Sequence, residues 1–122
     1  MIKAQCIILN LPWFPDELKA NSRVQHRYST GVKSRYKSDC KTLAMVKRTR
    51  FPDEGNIPLN IWFDKPTYHS RDLDNCLASI KYALDAIADA WGVNDARFYP
   101  ITIDWGTITE GGNVKIEAWG CL

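Results

Sequence analysis

Apolar residues along this chain change their spacing several times, and each change marks a predicted element. KAQCIILNL, residues 3–11, is rich in apolar and β-branched side chains and predicts a first strand. Residues 12–30 start with closely spaced prolines, keep no steady period and predict an extended loop. Ser29-Thr30 then offers an N-cap for a helix over about 31–49. Its apolar face carries Val32, Tyr36, Cys40, Leu43 and Ala44, and Lys33, Lys37 and Lys41 step along an adjacent face. After the turn FPDEGN, residues 57–63 alternate again and predict a second strand ending near Asp64. Leu77, Ile80, Leu84, Ile87 and Trp91 follow at helical spacing, which predicts one helix from about Asn75 to Trp91 with Gly92 as its C-cap. Tyr99, Ile101, Ile103 and Trp105 alternate as a third strand, and Val114, Ile116 and Ala118 as a fourth. A short loop with Gly111-Gly112 between those two predicts an antiparallel hairpin.

The expected order is β-α-β-α-β-β, without internal repeats. The economical packing is an α+β two-layer domain, a four-stranded mixed sheet against two helices, over residues 1–122. A chain of 122 residues is long enough to bury one sizeable core. No apolar run approaches the roughly eighteen residues of a membrane span. Pro12 and an acidic pair follow the apolar start, so it reads as a strand and not as a signal peptide. Four scattered cysteines without a Cys-x-x-Cys pair argue against a structural zinc site and fit reduced thiols in a cytoplasm. Cys40 and Cys76, inside helical patterns, read as small core residues.

The formal net charge of +2 conceals two unlike halves. Residues 1–50 carry eleven Lys/Arg against three Asp/Glu, while residues 51–122 carry five against eleven. A basic half suggests an anionic partner, and an acidic half suggests functional carboxylates. Mutual neutralisation across the fold accounts for the same numbers equally well.

The candidate chemistry lies in SRDLDNC, residues 70–76, at the entry to the second helix. Asp72 or Asp74 suits an N-cap. One carboxylate suffices for capping, and a second adds repulsion unless a cation is shared. Stepping about 100° per residue from Asp74 places Lys81 and Asp85 on the same line, beside small Ala78. Asp95 lies beyond the far end of a helix roughly 25 Å long, so it meets Asp74 only if the chain returns along the helix or a second protomer supplies it. Taken singly, Lys81 with Asp85 is an ordinary i,i+4 pair and Asp95 is ordinary turn chemistry. His26 and His69, far apart and without a paired ligand, read as incidental. Trp13, Phe14 and Trp119 read first as packing residues.

RDLDN, then Lys81, then LDAIADAWGVNDARF resembles the core of the RusA-type Holliday junction resolvases, many of them encoded by phages and prophages. That family reads Asp-x-Asp-Asn, a helix with a Lys and a Leu-Asp segment, then Gly-Val/Ile and an acidic pair. The matching positions here are Asp72, Asp74, Asn75, Lys81, Asp85, Gly92, Val93 and Asp95, within about residues 70–98. LPWFP, with Asn21, Arg23 and His26 before a basic helix, is similar to the phage versions. Two departures stand out. Lys81 lies seven residues after Asp74, one turn later than in some members, and Asn94 replaces the first acid of the loop pair.

The resemblance implies a Mg²⁺-dependent endodeoxyribonuclease that resolves four-way junctions as a homodimer in a bacterial cytoplasm. It implies Asp72, Asp74 and Asp95 as ligands of one or two Mg²⁺, replaceable by Mn²⁺, with Lys81 covering transition-state charge. Asn75 would orient a ligand, and Asp85 would partner Lys81. Asn21, Arg23, Arg27, Lys33, Lys37 and Arg71 would grip phosphates of branched DNA. A non-catalytic junction-binding module and a metal nuclease acting on forks or flaps are the alternatives.

Overall fold

The computed structural model describes residues 5–18 and 26–122, without the side chains of residue 17 and residues 26–30. Four strands form one sheet: β1 (Cys6–Leu11), β2 (Leu59–Asp64), β3 (Ile101–Trp105) and β4 (Asn113–Trp119). Three helices accompany them: α1 (His26–Val46), α2 (Leu73–Ser79) and α3 (Lys81–Trp91). The alternation in β2 and β4 sends Leu59, Ile61, Phe63, Val114, Ile116 and Ala118 into the core. On α1, Tyr36, Cys40 and Ala44 are buried, and the Trp91 indole N–H at the end of α3 donates to Ala44 O at 3.1 Å. The α+β architecture with a mixed sheet is as the periodicity predicts.

The strand order is β1-β4-β2-β3, which overturns the expected β3–β4 hairpin. β4 is antiparallel to both β1 and β2, while β3 runs parallel to β2, with Ile61 opposite Ile103. Every second residue of β4 is buried, as suits a central strand, whereas β3 is only half-buried, as suits an edge. The connection over residues 106–112 passes the end of β2 and is tied there. Gly106 N donates to Phe63 O at 3.0 Å, Thr107 N to Asp64 Oδ1 at 3.0 Å and Thr109 N to Lys65 O at 2.9 Å.

Two further expectations change. α1 begins at His26 and runs through Ser29-Thr30, because a helix anchored by packing extends at little cost through residues of moderate propensity. The expected single helix over 75–91 is two helices, broken at Ile80 (φ −102°, ψ 14°). The cause is local. Ser79 Oγ donates to Asn75 O at 2.8 Å, a back-bond that bends helices, and Ile80 N bonds Leu77 O three residues back. Gly92 caps α3 in the left-handed region (φ 66°), as expected, and Val93 N reaches back to Ala88 O at 3.0 Å.

Candidate functional site

Where β2 leaves the sheet, the chain turns through residues 65–71 into α2, and Asp72 takes the N-cap position with extended backbone (φ −96°, ψ 131°). Its side chain makes no capping bond. Asp72 Oδ2 instead accepts from Asn75 Nδ2 at 3.3 Å, while Asp74 Oδ1 accepts from Asn75 N at 3.0 Å. Both carboxylates and Asn75 are exposed. Capping therefore does not account for Asp72, and Asn75 holds that carboxylate in place.

Asp72 and Asn75 line a cavity of about 340 Å³ with Phe14, Ser70, Arg71 and Ser79. The Arg71 guanidinium carbon lies 5.5 Å from the Trp13 ring centroid, a cation–π placement that holds the side chain against the wall. Arg71 Nε is buried and, among the described residues, is the one buried side-chain polar atom without a hydrogen-bond partner. A buried donor left unpaired costs about 1–3 kcal/mol.

A second acidic group forms where the chain reverses after Gly92. Asn94 Oδ1 accepts from Ala96 N at 2.9 Å and caps a 3₁₀ turn over Asp95–Arg97. This amide does the capping at the position where the resolvase pattern has an acid. Arg97 ties the turn to the segment before β2, donating from Nε to Gly55 O at 2.7 Å and from Nη2 to Pro52 O. Asp95 is thereby brought within hydrogen-bonding reach of Asp85. Loss of hydration pushes the Asp85 carboxyl up from its ordinary value, and the hydrogen bond and charge of Asp95 push it further. Lys37 and Lys81 act in the opposite direction. Asp85 is thus a partner of Asp95 as well as a neighbour of Lys81.

The structure brings Asp72, Asp74 and Asn75 together, and separately Asp85, Asp95 and Lys81. About eleven residues of bent helix, roughly 16 Å of rise, separate Asp74 from Asp85. Among the described residues, no three His, Cys, Asp or Glu side chains are grouped so as to hold a metal ion. Asp72 and Asp74 are placed at one end of this helical stretch and Asp95 at the other, beside Asp85. The loop after Gly92 does return, but it returns to Asp85.

Of the basic residues singled out, Asn21 and Arg23 lie outside the described residues, as does the Arg27 side chain. Lys33 Nζ sits 5.4 Å from the Tyr82 ring centroid, and Lys37 Nζ lies 3.8 Å from Asp89 Oδ2. Both are turned to α3, so Arg71 alone among the described basic candidates faces the acidic corner. Sequence reasoning missed the Asp85–Asp95 contact. Gly92 carried the signal, since a left-handed cap turns the chain back along its own helix.

These features define a small α+β domain with an acidic strand-to-helix corner and an unpaired arginine donor beside it. The chain belongs to one family with an uncharacterized protein of Xylella fastidiosa (strain Temecula1), 36% identical over 115 residues that cover 92% of this chain and 75% of that protein. No protein-family model matches the chain. Among the described residues no helix is long and apolar enough to cross a membrane.

Proposed function

We propose that this protein is a Mg²⁺-dependent, structure-specific endodeoxyribonuclease of the RusA type, which resolves four-way DNA junctions as a homodimer by paired phosphodiester hydrolysis. The observation that carries the reading is that Arg71, whose Nε is buried and unpartnered, lines the same cavity as Asp72 and Asn75. A phosphate oxygen in that cavity would meet the Arg71 guanidinium and bring the diester backbone against the carboxylate corner. Without such a ligand the corner combines an unmet donor with two carboxylates that pair with no cation among the described residues.

The separation of the two acidic groups bears on the assembly. A twofold enzyme matches a twofold substrate. A homodimer that set Asp95 of one copy beside Asp72 and Asp74 of the other would make the requirements for Mg²⁺ and for dimerisation one. Lys81, exposed at the start of α3, would offset charge developing on the phosphate, and Asn75 keeps Asp72 oriented.

The test is a synthetic four-way junction incubated with wild type and with Asp74→Asn, with and without Mg²⁺ or Mn²⁺. Wild type should cut symmetrically only with metal, and the variant should bind without cutting. Junction binding without cleavage in either metal would leave a non-catalytic binding module. Normal cleavage by Asp74→Asn would remove the metal assignment, and a fork cut far faster than a junction would move the substrate to forks or flaps.

A further inference from the structure

On the other side of the Trp13–Phe14 pair lies a larger groove, about 560 Å³, between the Pro12–Pro15 loop and α1. It is lined by Pro12, Trp13, Gly31, Arg35, Tyr36 and Asp39, among others. Its walls are held in place. The buried Tyr36 hydroxyl donates to Pro12 O at 2.8 Å, fastening the loop to the helix. Trp13 stacks on Phe14 at 4.5 Å between centroids and meets Phe63 edge-on at 6.2 Å. On another side Trp13 rests against the Gly112 backbone, where a Cβ would come within 2.7 Å of its side chain.

Gly31 is the unexplained member. It sits inside α1, where glycine is destabilising relative to alanine. Among the described residues nothing lies within 4 Å of the point where its Cβ would be, so packing against them does not require it. What its missing side chain does is leave the groove open. Arg35 and Asp39, one turn apart on α1 and both exposed, add a donor fork and a carboxylate acceptor at the same opening. Aromatic and proline walls with one donor and one acceptor suit a flat heteroaromatic ring that carries an amino group and a carbonyl or ring nitrogen.

Resting on the nuclease reading, we infer that this groove is a nucleobase subsite, taking one unstacked base of the strand whose phosphate lies at Arg71. The shared wall makes this continuous. Phe14 lines the carboxylate cavity, its stacking partner Trp13 lines the groove, and Arg71 touches the Trp13 ring. Asp39 accepts from an exocyclic amino group, so the subsite favours cytosine, adenine or guanine over thymine.

The test compares eight-nucleotide single strands of deoxycytidine, of thymidine and of abasic sugar-phosphate, by fluorescence anisotropy in EDTA. Wild type should bind the deoxycytidine strand about tenfold tighter than the abasic strand. Gly31→Leu, which fills the groove, should bind the two equally, keep the abasic affinity and melt no lower than wild type. Asp39→Asn should erase the advantage of deoxycytidine over thymidine while leaving both above the abasic strand. Equal binding of deoxycytidine and abasic strands by wild type would overturn the subsite and leave the nuclease reading standing, as would an undiminished difference in Gly31→Leu. Failure of wild type to bind any strand or a four-way junction would overturn the nuclease reading and the subsite with it.

Discussion

Asp72 and Asp74 stand two residues apart at the start of α2, and their carboxylates are exposed and held through Asn75 beside an unpaired arginine donor. Asp85 and Asp95 stand ten residues apart in sequence and within hydrogen-bonding reach of each other, with the Asp85 carboxyl raised by lost hydration and by its neighbour. Both places are acidic, yet the first opens on a cavity and the second has its carboxyls within reach of each other. The difference lies in what surrounds the carboxylates: an amide and an open cavity at the first, a second carboxyl with Lys37 and Lys81 at the other. Counting acids along a sequence does not separate these cases, because a carboxylate's chemistry is set by its neighbours in space.

The largest expected effect comes from disabling the open corner. Asp72→Asn should lower junction cleavage by about 10²–10³-fold while leaving junction affinity nearly unchanged, measured by single-turnover cleavage and gel shift. Loss of binding instead would make Asp72 a structural element of the corner. Asn75→Ala removes the amide that orients Asp72 and should cost about 10–100-fold in cleavage or metal affinity, resolved by titrating Mg²⁺. An unchanged Mg²⁺ requirement would mean that Asn75 only joins backbone to side chain.

Arg71→Ala should weaken junction binding about tenfold and reduce the salt dependence of affinity by about one phosphate contact, seen as a shallower plot of log affinity against log salt. An unaltered slope would place Arg71 with the structural contacts to Trp13. The smallest effect belongs to the closed pair. The Asp85 carboxyl is raised in the folded protein above an unfolded value of about 4. Between those two values the folded state binds more protons, so stability falls as pH rises through that window and the penalty is fully present above it. Asp85→Asn should therefore raise Tm modestly at pH 7, and the gain over wild type should shrink as pH falls toward 4. An equal gain at every pH would show that repulsion between the two carboxyls is not its origin.

Much of the scaffold is legible in the sequence. Alternation identifies β2 and β4, the 3.6-residue period identifies Tyr36, Cys40 and Ala44 as the core face of α1 though Leu43 on the same predicted face is exposed, and Gly92 marks the end of α3. The failures share a cause. β3 and β4 are consecutive and close in sequence, which suggested a hairpin, but fully alternating β4 takes the centre of the sheet and half-buried β3 takes the edge. The break at Ile80 interrupts an unbroken apolar period, and Ser79 Oγ back-bonds to Asn75 O beside it.

By itself, then, the sequence determined the element types, the α+β class and the concentration of Asp72, Asp74 and Asn75 at one helix entry, since each of these depends on residues within a turn or two of one another. Tertiary structure alone decided that β4 enters between β1 and β2, that Asp95 joins Asp85 and not Asp74, and that Arg71 meets Trp13 beside the acidic corner. Those outcomes depend on which buried surfaces pack against which, and packing joins residues whose spacing along the chain carries no trace of the contact.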